Sequence, residues 1–357
     1  LGHILKIAVY TIALNEEKHV ERWFNATRDA DYHLIADTGS TDKTIEIAKS
    51  LGINVHSISV KPFRFDDARN AALALVPSNI DVCLSLDMDE VPEENFFSVL
   101  KKEWKPETTR GWVWWDTGQT WENNNRLHAR NGYRWVKPCH EVTEYYEDLA
   151  NGKKEVTQRF NVTVYHKPDD TKSRGQYLPM LQIAVKEDPS DARMWAYLAR
   201  EYFFHQRWRD VIDTAEKMLE HGGWYIERAS TCRAAGQSFM NLNNKEMARE
   251  WFVKGVKEAP DQLEAWFSLA QFCYEIKNWQ GCWDAAIKIN ELQKQTHYLV
   301  DKSIWDWRCY DLLAVSGWNI NKKDEAIEYA RKAVAGNPNE ERLRTNLEWM
   351  QKNNANV

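Results

Sequence analysis

Apolar residues in the first half of the chain come in short runs separated by amphipathic stretches. Residues 4–12 are nearly continuous in apolar character and read as a buried strand. Residues 16–28 carry a helical pattern, with Asn15 placed to cap it and early Glu residues suited to the positive end of a helix dipole. Residues 32–36 form a second apolar run. Ile45, Ala48 and Leu51 then share one face of a helix that Ser40 or Thr41 can cap and Gly52 can stop. Residues 53–60 read as a strand, 66–75 as a helix and 81–86 as a strand. This alternation predicts an α/β domain with a largely parallel sheet, in which ligands bind at the carboxyl ends of strands.

After residue 185 the period changes. Trp195, Leu198, Ala199 and Tyr202 fall on one helical face, followed by Val211, Ala215 and Met218 on the next. The layout returns with Gly236 and Phe239 before Ala248 and Phe252, and with Trp266, Leu269 and Ala270 before Cys282 and Ala286. It returns once more with Leu313 and Ala314 before Ala326, Ala330 and Ala333. The small residues Ala199, Gly236, Ala270 and Ala314 are 37, 34 and 44 apart, close to the ~34-residue helix-turn-helix unit called the tetratricopeptide repeat. Pro260 and Pro338 stand where such units end, and the longer last spacing places an insertion within residues 293–304. An irregular helical bundle is the alternative. The expected organisation is therefore residues 1–170 as the α/β domain, 171–186 as a linker helix and 187–357 as helical repeats, with a chain of 357 residues long enough for a core in each domain.

The chemistry-bearing residues gather where the predicted strands end. Asp87-Met88-Asp89 closes the apolar run after residue 80, and a hard divalent cation takes oxygen ligands of this kind. By itself such a pair is also a common solvated turn. It stands here with Thr11-Ile12-Ala13-Leu14-Asn15-Glu16-Glu17 after the first strand, Asp37-Thr38-Gly39-Ser40-Thr41-Asp42 after the second, and Ala68-Arg69-Asn70 on the helix before the fourth. In this order and spacing the segments resemble the nucleotide-sugar half of the family 2 glycosyltransferases, which have the GT-A fold, over about the first half of the chain. The stretches 126–141 (RLHARNGYRWVKPCHE) and 162–181 (VTVYHKPDDTKSRGQYLPML) resemble the closing segments of those members that carry tetratricopeptide repeats.

The resemblance implies an inverting transfer from a nucleotide-diphosphate sugar, with a uridine nucleotide expected, supported by Mn²⁺ or Mg²⁺. Thr11, Asn15 and Glu16 would line the base end, and Asp37 would meet the uracil or ribose. Arg69 could pair with a phosphate, Asp87 would lie near ribose and metal, and Asp89 and the strand-end His166 would be the metal ligands. Each has a structural reading too: capping for Asn15, turn formation for Asp37, a surface ion pair for Arg69 and a satisfied strand residue for His166. Inversion needs a carboxylate on the acceptor side to take the proton of the attacking hydroxyl. Glu141, beside His140, matches the family there, with Asp116, Glu144 and Glu90 in reserve. Ala13 departs from the family, where Tyr is frequent, and leaves the stacking partner of the base undefined.

Composition narrows the rest. A net charge of −6, from 47 basic and 53 acidic residues without a basic tract, gives no reason to expect nucleic acid. The six Cys lack C-x-x-C spacing and read as reduced apolar residues of a cytoplasmic protein. No apolar stretch has the length of a membrane span. The sequons at Asn25 and Asn161 come without a signal peptide, so no glycosylation is expected. Of the 18 Trp, Trp112, Trp114, Trp115 and Trp121 crowd one stretch as core, interface or a platform for pyranose C–H faces. Partners are then the sugar donor and a glycan or protein acceptor, with the repeats also able to support a homodimer. Two other classes compete: a repeat-based interaction protein with an inactive transferase half, and a sugar-nucleotide nucleotidyltransferase. The second needs a Gly-rich loop after the first strand, and residues 11–17 contain no Gly.

Overall fold

A computed structural model of the chain describes residues 4–116, 120–146, 152–167, 177–294 and 299–354. It divides into two compact units, Leu1–Met180 and Leu181–Val357.

The first unit is built on β1 (Ile7–Ala13), β2 (Tyr32–Asp37), β3 (Asn54–Ser57), β4 (Val82–Ser85), β5 (Glu90–Pro92), β6 (Arg110–Asp116), β7 (Thr120–Ala129) and β10 (Thr157–His166). They form one eight-stranded sheet in the order β3-β2-β1-β4-β7-β6-β10-β5, while β8 (Tyr133–Val136) and β9 (Val142–Tyr145) make a separate antiparallel pair. β1 to β4 are mutually parallel where they pair, β7 runs antiparallel to both its neighbours, and β5 is antiparallel to β10.

Side-chain alternation explains why the central strands read as continuous apolar runs: both faces of the sheet are covered. Ile7 and Val9 of β1, Ile35 of β2 and Val82 and Leu84 of β4 face one layer. There they meet Val20 and Trp23 of α1 (Val20–Thr27) and Phe96, Phe97 and Leu100 of α4 (Phe96–Glu103). Ala8, Tyr10, Leu34, Ala36 and Cys83 face the other layer, against Ala72 and Leu73 of α3 (Phe65–Leu75) and Trp135.

Within that second layer a buried polar chain ties three strands together. The Trp135 indole N–H donates to the Tyr10 hydroxyl at 2.7 Å, and the hydroxyl lies 3.2 Å from His128 Nε2. His128 Nδ1 is 2.8 Å from the Ala129 carbonyl, which fixes Nδ1 as the protonated nitrogen and leaves Nε2 to accept. Burial pushes the His128 pKa down to about 4. The unfolded chain then binds a proton below about pH 6.5 that the folded chain refuses, so stability is present above that value and is lost as pH falls towards 4. We expect the unfolding free energy from urea titrations to fall over this window by an amount on the order of 3 kcal/mol from this group. His128→Gln should remove that part of the slope; an unchanged slope would place the titration elsewhere.

Several element ends differ from the sequence expectation. Helix α1 starts at Val20 rather than at residue 16, and Asn15, at φ 57°, does not cap it. Its Oδ1 instead accepts from the Thr41 N–H at 2.8 Å, while the Asn15 N–H donates to Ser40 Oγ at 2.8 Å and the Glu16 N–H to Thr44 Oγ1 at 2.7 Å. Ser40 and Thr41 are thus occupied by the facing loop, and α2 (Thr44–Ser50) starts later, with Asp42 Oδ1 accepting from the Thr44 N–H at 2.9 Å. Gly52 ends that segment at φ 79°, a left-handed conformation that favours glycine. The strand expected over 53–60 is confined to Asn54–Ser57.

Helix α5 (Tyr177–Glu187) carries the chain into the second unit; residues 171–176 of the expected linker lie outside the described residues. The helices that follow are α6 (Ala192–Phe204), α7 (Trp208–Glu220), α8 (Tyr225–Asn241), α9 (Lys245–Glu258), α10 (Leu263–Glu275) and α11 (Trp279–Glu291). A π-helical turn (Ile304–Arg308) then leads into α12 (Cys309–Asn319), α13 (Lys323–Gly336) and α14 (Glu341–Asn354).

The repeat is visible in the backbone. The turns α6/α7, α8/α9, α10/α11 and α12/α13 each contain one left-handed residue: Gln206, Asn243, Lys277 and Asn321. The next N–H in each case donates back five residues, Arg207 to Tyr202, Asn244 to Phe239, Asn278 to Cys273 and Lys322 to Gly317, at 2.8–2.9 Å. This closure satisfies carbonyls that a helix end would otherwise leave open. It recurs at the same spacing as the small residues. Those residues allow close helix approach: a Cβ on Gly236 would stand 2.9 Å from the Phe252 ring. The longer last unit is accounted for between Glu291 and Ile304, with residues 295–298 outside the described set.

All six cysteines are free and buried, and burial pushes the thiols of Cys83, Cys232, Cys282 and Cys309 up to about 12. Among the described residues no helix is long and apolar enough to cross a membrane.

Candidate active site

The site is assembled at the carboxyl end of β4. The Asp87 N–H donates to Glu90 Oε2 at 2.7 Å and the Glu90 N–H returns to the Asp87 carbonyl at 3.0 Å, so the acidic segment is a closed turn. Residue 90 then enters β5, whose pairing with β10 sets Glu90 opposite His166. The Lys167 N–H completes the register by donating to the Asp89 carbonyl at 2.6 Å. Strand pairing thereby brings His166 Nε2 to 3.4 Å from Asp89 Oδ2. The hydrogen bond and charge of Asp89 hold the imidazole pKa above its usual value.

Arg69 organises the other side. It projects from α3, with its side chain 4 % exposed, and all three nitrogens are engaged. Nε donates to Glu141 Oε1 at 2.6 Å, Nη2 to Asp87 Oδ1 at 2.7 Å and Nη1 to Ser85 Oγ at 3.2 Å. Burial alone would lower its pKa, but Asp87 and Glu141 more than offset this and raise it. The guanidinium that the sequence offered for a phosphate is therefore committed here to two carboxylates. It makes one unit of Glu141 and Asp87, residues 54 positions apart.

Arg126, on β7, takes the second oxygen of Asp87: Nη2 to Oδ2 is 3.2 Å, with Glu90 Oε1 at 3.8 Å. Glu90 is buried, and burial pushes its carboxyl up to about 7 against the pull of Arg126. Trp135 packs behind both arginines, 5.1 Å from the Arg69 guanidinium and 5.7 Å from that of Arg126.

Of the residues expected at the base end, Thr11 lies within β1, Asn15 and Glu16 follow β1, and Asp37 closes β2. Thr11 is fully buried in β1, and Glu16 is nearly so. Asp37 is buried and turns back on its own loop, with Oδ2 accepting from the N–H groups of Gly39 and Ser40 at 3.0 and 3.1 Å. Its carboxylate shapes the loop after β2, and the cross-loop bonds of Asn15 and Glu16 join that loop to the one after β1. Among the reserve carboxylates, Glu144 is spent on an exposed pair with Arg134 at 2.6 Å, and Asp116 ends β6. The sequence reading missed Arg126, Ser85 and Trp135. The arginine and the indole do lie inside the stretch 126–141 that carried the resemblance.

The donor set suits a small divalent cation. Adjacent ligands on an octahedral ion with bonds of about 2.1 Å stand about 3 Å from each other, and the 3.4 Å between His166 Nε2 and Asp89 Oδ2 is near that value. An imidazole beside a carboxylate favours manganese over the all-oxygen preference of magnesium. Among the described residues no group of three or more His, Cys, Asp and Glu is arranged to hold a metal.

The segment that carries this geometry, residues 8–166, matches the model of Glycosyl transferase family 2. Residues 8–166 form a family 2 glycosyltransferase domain. Residues 308–340 match a Tetratricopeptide repeat model. A glycosyltransferase of Rickettsia bellii (strain RML369-C), itself uncharacterised, is 36% identical over 86 residues, which are 24% of this chain and 28% of that protein. Among solved structures, MamA is 15% identical with a TM-score of 0.37, covering 44% of this chain and 85% of its own. YrrB, described as a TPR protein with an unusual peptide-binding site, is 16% identical with a TM-score of 0.37, covering 50% of this chain and 83% of its own.

Proposed function

We propose that this chain is an inverting, metal-dependent glycosyltransferase that takes its sugar from a nucleotide diphosphate, with UDP as the carrier, and gives it to a glycan or protein acceptor. The reading is carried by one observation: the acidic turn with Asp87, Asp89 and Glu90 converges with Glu141 and His166, from two other segments, and with Arg69 and Arg126 beyond the carboxyl end of the central strand.

In this reading Asp89 and His166 hold Mn²⁺ or Mg²⁺, which when bound would offset the charge of the departing diphosphate. Asp87 meets the nucleotide, oriented by its two guanidinium partners. Glu141 takes the proton of the acceptor hydroxyl as that oxygen bonds to the anomeric carbon and the diphosphate leaves with the bonding pair. Arg69 keeps Glu141 and Asp87 at a fixed offset, so base and donor are positioned by one buried side chain. The loops carrying Asn15 and Asp37 form the base end. The repeats of the second unit serve the acceptor or a second copy of the chain.

The test is release of free nucleotide from a panel of UDP, GDP, CMP and dTDP sugars, with and without manganese. We expect release from one uridine sugar, abolished by chelator and restored by metal. No release from any donor in the presence of candidate glycan and peptide acceptors would favour a non-catalytic interaction protein. Release of pyrophosphate from a nucleoside triphosphate would favour a nucleotidyltransferase.

A further inference from the structure

Asp87 is held from both edges. Arg69 Nη2 takes Oδ1 at 2.7 Å and Arg126 Nη2 takes Oδ2 at 3.2 Å, while the backbone N–H of the same residue is held by Glu90. The two guanidinium groups differ in setting. Arg69 is 4 % exposed and also serves Glu141 and Ser85, whereas the Arg126 side chain is 18 % exposed and lies over two indoles, 6.0 Å from Trp115 and 5.7 Å from Trp135. Two like charges converging on one carboxylate repel each other. Asp87 offsets that repulsion together with Glu141 and Glu90, and rotation of the Asp87 carboxylate would break two charge-assisted hydrogen bonds at once. The Asp87 side chain itself is 32 % exposed.

We propose that Arg126 is a positioning residue for donor binding: opposite Arg69, it locks the plane of the Asp87 carboxylate so that Asp87 meets the nucleotide in one orientation. This rests on the nucleotide-sugar reading above. A lysine cannot reproduce it, because an ammonium lacks the planar fork that lies over the indoles and still reaches Oδ2. Arg126 acts through Asp87, so removing it should matter only while Asp87 is a carboxylate.

The experiment is a double-mutant cycle on UDP binding, measured by calorimetry with saturating manganese, using the whole chain, Arg126→Lys, Asp87→Asn and the double variant. Arg126→Lys is expected to weaken UDP binding about 10-fold with an unchanged melting temperature. The double variant should bind no more weakly than Asp87→Asn alone. Wild-type affinity in Arg126→Lys, or losses that multiply in the double variant, would overturn the inference. If Arg126→Lys does not fold, Arg126→Gln takes its place, and failure of both to fold would assign Arg126 to the core instead. Should the wild-type chain bind UDP with neither variant affected, only this inference falls; should it bind no nucleoside diphosphate, the nucleotide-sugar reading falls and takes the inference with it.

Discussion

Asp89→Ala is expected to cut sugar transfer by on the order of 10³-fold and to weaken nucleotide-diphosphate binding with it. The carboxylate stands 3.4 Å from His166 Nε2, and the proposed function assigns the cation to these two groups. Without it the charge of the diphosphate is uncompensated both in the bound donor and, more severely, as the leaving group departs. The His166→Ala variant should follow in direction with a smaller loss, since an imidazole contributes no formal charge. Initial rates of nucleotide release across a manganese titration measure both. A full rate in Asp89→Ala in the presence of chelator would end the metal-dependent account.

The second large effect is expected at Glu141. Glu141→Gln keeps an oxygen for the Arg69 Nε–H, now at 2.6 Å, and keeps the side-chain volume, but it cannot take a proton at neutral pH. Loss of a general base costs on the order of 10²–10⁴-fold in rate. It should appear in kcat with saturating acceptor while the donor dissociation constant stays within a few-fold. If turnover is retained, the base lies elsewhere, and Asp116 is the next carboxylate to replace. Glu144, paired with Arg134, and Glu90, which accepts from the Asp87 N–H, follow in that order. If donor affinity collapses together with turnover, Glu141 supports the nucleotide site through Arg69, and the role given to it is wrong.

The parts of this protein that were legible in the sequence are those set by local pattern. β1, β2 and β4 show as apolar runs because both faces of the central strands are covered, and α3 shows because its apolar face repeats at helical spacing. The helical repeats show because Ala199, Gly236, Ala270 and Ala314 mark the close approaches and recur with the turns. What was not legible depends on partners distant in sequence. Asn15 has the composition of a helix cap, yet its acceptor oxygen is used 26 residues away by Thr41. Arg69 has the chemistry of a phosphate ligand, but folding sets it between Asp87 and Glu141 before any ligand arrives. Arg126 opens the stretch 126–141 that carried the resemblance, but its role shows only when pairing of β4 with β7 brings it to Asp87. His166 was legible because it closes its strand, and β5 pairing then decides what it faces.

The central claim is that Asp89 and His166 hold one divalent cation together with the nucleotide diphosphate. Pulsed electron paramagnetic resonance of Mn²⁺ with the whole chain and UDP tests it directly. The account predicts nitrogen modulation from one coordinated imidazole and phosphorus coupling from the diphosphate, with the nitrogen signal lost in His166→Ala and manganese binding lost in Asp89→Ala. Manganese bound with phosphorus coupling but no imidazole nitrogen in the wild-type chain, or UDP bound equally tightly in chelator, would contradict it.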